Sequence, residues 1–146
     1  MHVRALGCAG VALVLALPAA AQQSTHPYTE GSVLEVQYIR VKPGHFDEYM
    51  TYLAGPYKQT MEAQKKAGVI TGWGVYTSDN RDEDDWNIAL TTTYKNMAAL
   101  DNLRDRVDPI QKQVFGSLDQ SAAAMVKRGE MRDIVGGRQL REMIIK

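Results

Sequence analysis

The sequence predicts one α+β domain, a four-stranded antiparallel sheet with helices packed on one face, in the order strand, helix, strand, strand, helix, strand. Three observations carry that prediction. Residues Val69 to Tyr94 read as a β-hairpin holding both tryptophans. Long stretches with apolar residues at helical spacing stand on either side of it. A shorter alternating stretch lies at each outer end. The 146 residues, 45% apolar and 23% charged, suffice for a single hydrophobic core. Seventeen basic and 17 acidic side chains give zero formal charge, which leaves no electrostatic case for nucleic acid or an anionic membrane surface.

The first 21 residues read as a leader rather than as fold. Met1-His2-Val3-Arg4 is a short basic start, Ala5 to Leu17 is apolar, Pro18 breaks the run, and Ala19-Ala20-Ala21 supplies the small residues of a cleavage site before Gln22. The apolar run falls short of the ~20 residues a spanning helix needs. The expectation is therefore an exported, periplasmic or secreted protein with no stable membrane insertion after cleavage. Cys8, the only cysteine, precedes most of the apolar run, which does not fit a lipid-anchor signal. Cleavage would leave a chain without thiols, held by its core alone. Gln22 to Gly31 is polar, aperiodic and contains Pro27, and is expected to be a flexible arm. The folded domain is then 32–146.

Val33 to Val41 is the first strand. Val33, Glu35, Gln37, Ile39 and Val41 share one face, and Leu34, Val36, Tyr38 and Arg40 the other. Glu35 and Gln37 between hydrophobes mark a polar spot or a wet interface. Lys42-Pro43-Gly44 is a turn. Phe46, Tyr49, Met50, Leu53, Tyr57, Thr60, Met61 and Gln64 then recur at helical spacing. Pro56 cannot donate to the carbonyl of Tyr52, so a kink is expected at Gly55-Pro56. Gly68 is the expected left-handed cap.

The hairpin strands are Val69–Thr77 and Trp86–Tyr94, joined by a polar turn over Ser78–Asp85. Strict alternation puts Trp86, Ile88, Leu90, Thr92 and Tyr94 on one face. Asn96 is the expected cap of the second helical stretch, whose stripe runs Met97, Leu100, Leu103, Val107, Ile110, Val114 and Leu118. Pro109 inside it argues for a bend or for two consecutive helices. The helical signal resumes at Asp119–Arg128, Gly129 stops it, Gly136-Gly137 reads as a break, and Arg138–Lys146 as the last strand.

This order is the ferredoxin-like βαββαβ arrangement. It leaves one sheet face without helices, expected to be carried by residues such as Ile39, Val41, Met143 and Ile145 or by the Trp73 or Trp86 set. Covering that face with a second copy predicts a two-fold homodimer.

Three pieces also make the chain resemble the dimeric α+β-barrel superfamily. They are the first strand running into Lys42-Pro43-Gly44-His45-Phe46-Asp47-Glu48-Tyr49, the hairpin with Trp86-Asn87-Ile88-Ala89-Leu90, and the long second helix followed by a final strand. The chain is similar in this to antibiotic-biosynthesis-monooxygenase-like proteins and related stress-responsive barrel proteins of unknown role. The resemblance implies a dimeric barrel, commonly with a pocket between sheet and helices. It spans cofactor-independent monooxygenases, haem-handling enzymes, isomerases and ligand sensors, and fold does not choose among them.

Tyr38, Tyr49, Tyr52, Tyr57, Trp73, Tyr76, Trp86 and Tyr94 form an aromatic set suited to a flat ligand, with Tyr38, Tyr49, Tyr52, Trp73 and Trp86 as the binding candidates, or to ordinary core and interface packing. Arg40 could meet an anionic group, or pair with Glu35 or Asp47. His45 and Tyr49 are the candidate proton-handling groups. A surface or capping role is the plainer reading of His45, at the start of the first helix. Haem binding in relatives uses a histidine on or beside the second helix, and this chain has none after His45. One domain histidine and no cysteine also fall short of a zinc site, so no metal or cofactor is expected. Asp82, Glu83, Asp84 and Asp85 lack the spacing of a calcium loop and read as a solvated turn. The expected function is an exported homodimer that binds a small hydrophobic or aromatic molecule. The alternatives are a cofactor-independent monooxygenase or isomerase, and a dimeric interaction module with no pocket.

Overall fold

The computed structural model describes residues 26–79 and 85–146. The leader with Cys8, and Asp82, Glu83 and Asp84 of the acidic turn, lie outside the described residues. The elements run β1 (Tyr28–Val41), α1 (Phe46–Tyr52), a π-helical turn (Leu53–Tyr57), α2 (Lys58–Lys66), β2 (Gly72–Thr77), β3 (Ile88–Tyr94), a 3-10 turn (Met97–Leu100), α3 (Leu103–Phe115), α4 (Leu118–Met131) and β4 (Arg132–Ile145). The sheet order is β2-β3-β1-β4 with every neighbour antiparallel. This is the ferredoxin-like α+β fold.

Sheet register settles the faces. Val33, Ile39 and Val41 are buried with Ile88, Leu90 and Tyr94 from β3, so the face shared by Val33, Glu35, Gln37, Ile39 and Val41 is the one the helices cover. Ile39 and Val41 therefore do not carry the uncovered face, as one reading of the strand allowed. That face instead holds Leu34, Val36, Tyr38 and Arg40, with Ala89, Thr91, Tyr76 and Leu140 as cross-strand neighbours or near neighbours.

Several element boundaries differ from expectation: β2 starts at Gly72 and β3 at Ile88, and others have a local reason. β1 begins at Tyr28, because Tyr28, Thr29 and Glu30 pair with Ile145, Ile144 and Met143; that part of the expected arm is strand. Asn96 does cap, accepting from the Ala99 amide at 3.1 Å, but it caps the 3-10 turn rather than the long helix. α3 runs straight through Pro109, and the division into two helices falls at Gly116, whose φ of +89° suits glycine, followed by the Ser117 cap. Finally, Gly129 lies inside α4, and β4 starts at Arg132 and passes through Gly136-Gly137. The glycine pair is not a break but follows a bulge. Tyr38 pairs with Gly136 and Ile39 with Ile134, so Val135 is the extra residue. A Cβ on Gly137 would lie 3.0 Å from the Val36 carbonyl oxygen, which is why glycine is tolerated, even required, in mid-strand.

The Gly55-Pro56 kink takes the form of a wide turn. Gly55 leaves helical geometry (φ −98°, ψ −108°), and the Pro56 carbonyl accepts from Thr60 Oγ1 at 2.9 Å. A wider turn brings residues five apart closer to one line than an α-helix does. Tyr52 and Tyr57 consequently face the same space. As expected, Gly68 is left-handed (φ +69°).

Candidate functional site

Two buried clusters hold the covered face. One gathers Ile39, Val41, Tyr49, Leu53, Ile88, Leu90 and Met131. The other gathers Val33, Met61, Val69, Ile70, Tyr94 and Ile110. Between them and β4 lies a cavity of about 600 Å³ whose wall includes Tyr52, Tyr57, Leu90, Phe115 and Arg128. Glu35 and Gln37 face it from the sheet; they are the polar spot that the strand pattern suggests. Gly137 pairs with Gln37 and thus shares its face, so the missing side chain leaves room for the cavity. Met125, Ile134 and Gln139 are exposed and line the β4 side, where the cavity meets solvent.

At one end stand two arginines. Arg128 lies in the last turn of α4 and Arg132 opens β4, where its pairing with Val41 turns it toward the helices. Arg132 is 5% exposed. Its guanidinium donates to Gln37 Oε1 at 3.1 Å and lies 5.6 Å from the centre of the Tyr49 ring. Arg128 sits 5.5 Å over the Tyr52 ring and donates to its hydroxyl at 3.3 Å. Tyr49 and Tyr52 stack at 6.3 Å. The Tyr49 hydroxyl and Arg128 Nε are both buried with no hydrogen-bond partner. Burial raises the Tyr49 pKa, opposed in part by the two arginines. Burial also lowers that of Arg132, and repulsion from Arg128 adds to it. Tyr57 is pushed up to about 12, mainly by burial.

At the other end Glu35 Oε2 accepts from the Tyr94 hydroxyl at 3.4 Å and Glu35 Oε1 from Gln139 at 3.1 Å. Burial, with the Glu35 charge beside it, pushes Tyr94 to about 12.

The expected site residues divide. Tyr52 lines the cavity and Tyr49 lies directly behind it. Tyr38 and Trp86 do not share the cavity. Their rings meet at a tilt, 5.0 Å between centres, on the uncovered face, because β3 starts only at Ile88 and the alternation does not extend back to Trp86. Asn87 instead ties the strand end, its Oδ1 accepting from the Val41 amide at 3.0 Å. Arg40, also on the uncovered face, pairs with neither Glu35 nor Asp47 but with Asp133 at 3.6 Å. Trp73 packs edge-on against Tyr57 at 5.9 Å and donates to Glu62 at 3.0 Å, as part of the second cluster. His45 is partly exposed, 3.0 Å from Glu48, and does not line the cavity. Sequence reasoning missed Arg128 and Arg132 as site residues, whereas Tyr57 of the aromatic set and Gln37 of the polar spot do line the cavity. A signal existed in the spacing of two arginines four apart, but the β4 start at Arg132 was hidden by the apparent glycine break. Among the described residues no group of three or more histidine, cysteine or acidic side chains gathers as a metal site.

No family model and no curated protein matches the sequence. Among solved structures the chain is similar to HapK from Hahella chejuensis, with a TM-score of 0.53 at 10% identity over 75% of this chain and 91% of that one. A dimeric ferredoxin-like protein from an uncultured marine organism gives 0.49 at 8% identity, over 81% and 90%. A conserved protein from Methanosarcina mazei Go1 gives 0.43 at 18%, over 80% and 93%. The first of these supports the fold alone, and the other two are too distant in shape to carry an argument.

Proposed function

We propose that this ferredoxin-like chain is an exported homodimeric protein that takes a small aromatic or hydrophobic molecule into the cavity between its sheet and helices. The cavity is the observation that carries the reading: about 600 Å³, floored by Gln37 and walled by Tyr52, Tyr57, Leu90 and Phe115. A space of that size with a few convergent polar groups is the usual form of a small-molecule site. The homodimer reading rests on the uncovered sheet face, where Tyr76 is 59% and Leu140 51% exposed; a second copy would cover it. Export rests on the leader pattern of residues 1–21.

A second reading, a cofactor-independent monooxygenase or isomerase, draws on one specific observation, the unpartnered Tyr49 hydroxyl beside two cations. In it Tyr49, and not the surface residue His45, would handle the proton. An interaction module with a solid core fits a chain with this cavity less well.

Native mass spectrometry of the protein purified from its exported compartment tests the first reading. The expected species is a dimer of chains beginning at Gln22 with added small-molecule mass. A bare chain recovered from a rich extract, monomeric at micromolar concentration, would sink both the ligand and the dimer.

A further inference from the structure

We propose that the arginine end of the cavity is an anion subsite, and that the ligand is an apolar or aromatic molecule bearing a carboxylate or an equivalent anionic group. The inference rests on the ligand-binding reading above and names its chemistry.

Two guanidinium groups stand at that end with no carboxylate to balance them. Among the described residues the ion pairs are Arg40 and Lys42 with Asp133, His45 with Glu48, and Arg141 with Glu30. Neither Arg128 nor Arg132 takes part in one. Asp133, next to Arg132 in the chain, pairs with Arg40 and so belongs to the opposite face. Glu130 is exposed. Glu35, the acid of the cavity, is held by Tyr94 and Gln139. A further cation, Arg138, stands at the mouth. Burying a cation without a counter-charge is costly, and placing a second beside it costs more. Their contacts within the fold are Gln37 and the Tyr49 and Tyr52 rings, none of them an anion. A bound anion would offset both.

The local donors fit that role. Arg128 lines the cavity and its Nε is unused. A guanidinium presents paired donors that match a carboxylate. Gln37 gives its oxygen to Arg132, which leaves its amide NH2 group as a donor toward the cavity it lines. Arg132 thus acts as a positioning residue for Gln37 and adds its charge from behind. Tyr52, stacked under Arg128, offers an aromatic wall beside the anion. Glu35 lies two residues along the same strand from Gln37, about 7 Å away. Its charge repels an anion at that end, so the ligand has one allowed orientation.

Calorimetric titration with 2-naphthoate and its neutral isostere 2-naphthamide, using protein purified after expression of the full chain, tests this. The expected result is that naphthoate binds at least about tenfold more tightly than naphthamide. Arg128→Gln abolishes that preference, because naphthoate loses at least about tenfold while naphthamide loses less. Arg132→Met reduces it several-fold. Should Arg128→Gln fail to fold, Arg128→Lys keeps a charge without the fork and is expected to weaken naphthoate several-fold. Equal binding of both probes to the unaltered protein overturns the anion subsite but leaves the cavity reading standing. An undiminished preference in Arg128→Gln or Arg128→Lys also overturns it. If neither probe binds, both readings fall.

Discussion

Tyr49 and Tyr94 are both buried, one at each end of the same covered sheet face, and their hydroxyls meet opposite treatment. Tyr94 bonds to Glu35 and sits in a cluster where Trp73 also finds a partner, Glu62. The Tyr49 hydroxyl has no hydrogen bond of good geometry and only the Arg132 guanidinium beside it to interact with, and Arg128 Nε has no partner. Buried polar groups in native folds are nearly always paired. On the ligand-binding reading proposed above, the arginine end of the interior holds donors for a bound group, while the Tyr94 end pairs its polar groups within the fold.

The largest consequence is a difference in what truncation costs. Ile70, 2% exposed at the closed end, is in contact with a dry cluster, and Ile70→Ala is expected to cost about 2–5 kcal/mol. Arg132→Met removes a buried charge for a side chain of similar length, and is expected to be neutral or to stabilise by up to about 3 kcal/mol. Urea unfolding of both variants at one fixed protein concentration checks this. If Arg132→Met costs as much as Ile70→Ala, Arg132 is a structural residue and the contrast between the two ends disappears.

The sequence carried the fold better than the site, for a physical reason. Strand alternation and helical spacing are local, and they placed β1, the hairpin and both helical stretches, with Gly55-Pro56 marking the wide turn. The misreadings came where a long-range pairing overrides a local signal. Gly136-Gly137 stays in β4 because β1 pairs with it across the Val135 bulge. Pro109 stays in α3 because the packing of Ile110 and Val107 on the second cluster holds the helix. Trp86 faces away from Ile88 because the strand has not yet begun. The polar pair Glu35 and Gln37 did foretell a wet interface. Which basic groups would meet it could not be read, since Gln37 and Arg132 are 95 residues apart and their meeting depends on the β4 register.

A smaller effect separates the tyrosines by pH. Tyr94 titrates at about 12 rather than 10.0, through burial first and the Glu35 charge second. A group whose folded pKa is raised contributes stability fully below the unfolded value, and loses it as pH rises through the folded one. Stability should therefore fall between pH 10 and about 12, by ~1–3 kcal/mol for Tyr94, with Tyr57 adding to the same window. Tyr94→Phe should flatten that slope and cost about 0.5–1.5 kcal/mol at neutral pH for the lost bond to Glu35. Tyr49→Phe, which removes a hydroxyl with no hydrogen bond of good geometry and only Arg132 beside it, should cost less than Tyr94→Phe at neutral pH. Denaturant midpoints taken from neutral to alkaline pH distinguish the two, and a neutral-pH loss in Tyr49→Phe equal to that in Tyr94→Phe would mean that Tyr49 is partnered after all.

The least effect is expected where a paired polar group lies wholly in water. Glu142 Oε2 accepts from the Ser32 amide at 3.2 Å and from Ser32 Oγ at 2.8 Å. These bonds tie β4 to the one-residue irregularity between Glu30 and Val33 in β1, and they hold the carboxyl below its ordinary value of 4.5. With the folded pKa depressed, the staple is intact above the ordinary carboxyl range and is lost as pH falls through the folded value. Full exposure keeps its effect local. Glu142→Gln should leave the global unfolding midpoint unmoved and speed hydrogen exchange of the Thr29–Ser32 amides several-fold near neutral pH, a difference that fades on acidification. A shifted midpoint would show that the ends of β1 and β4 unfold together with the core, so that pairing at the surface matters to this fold as much as pairing inside it.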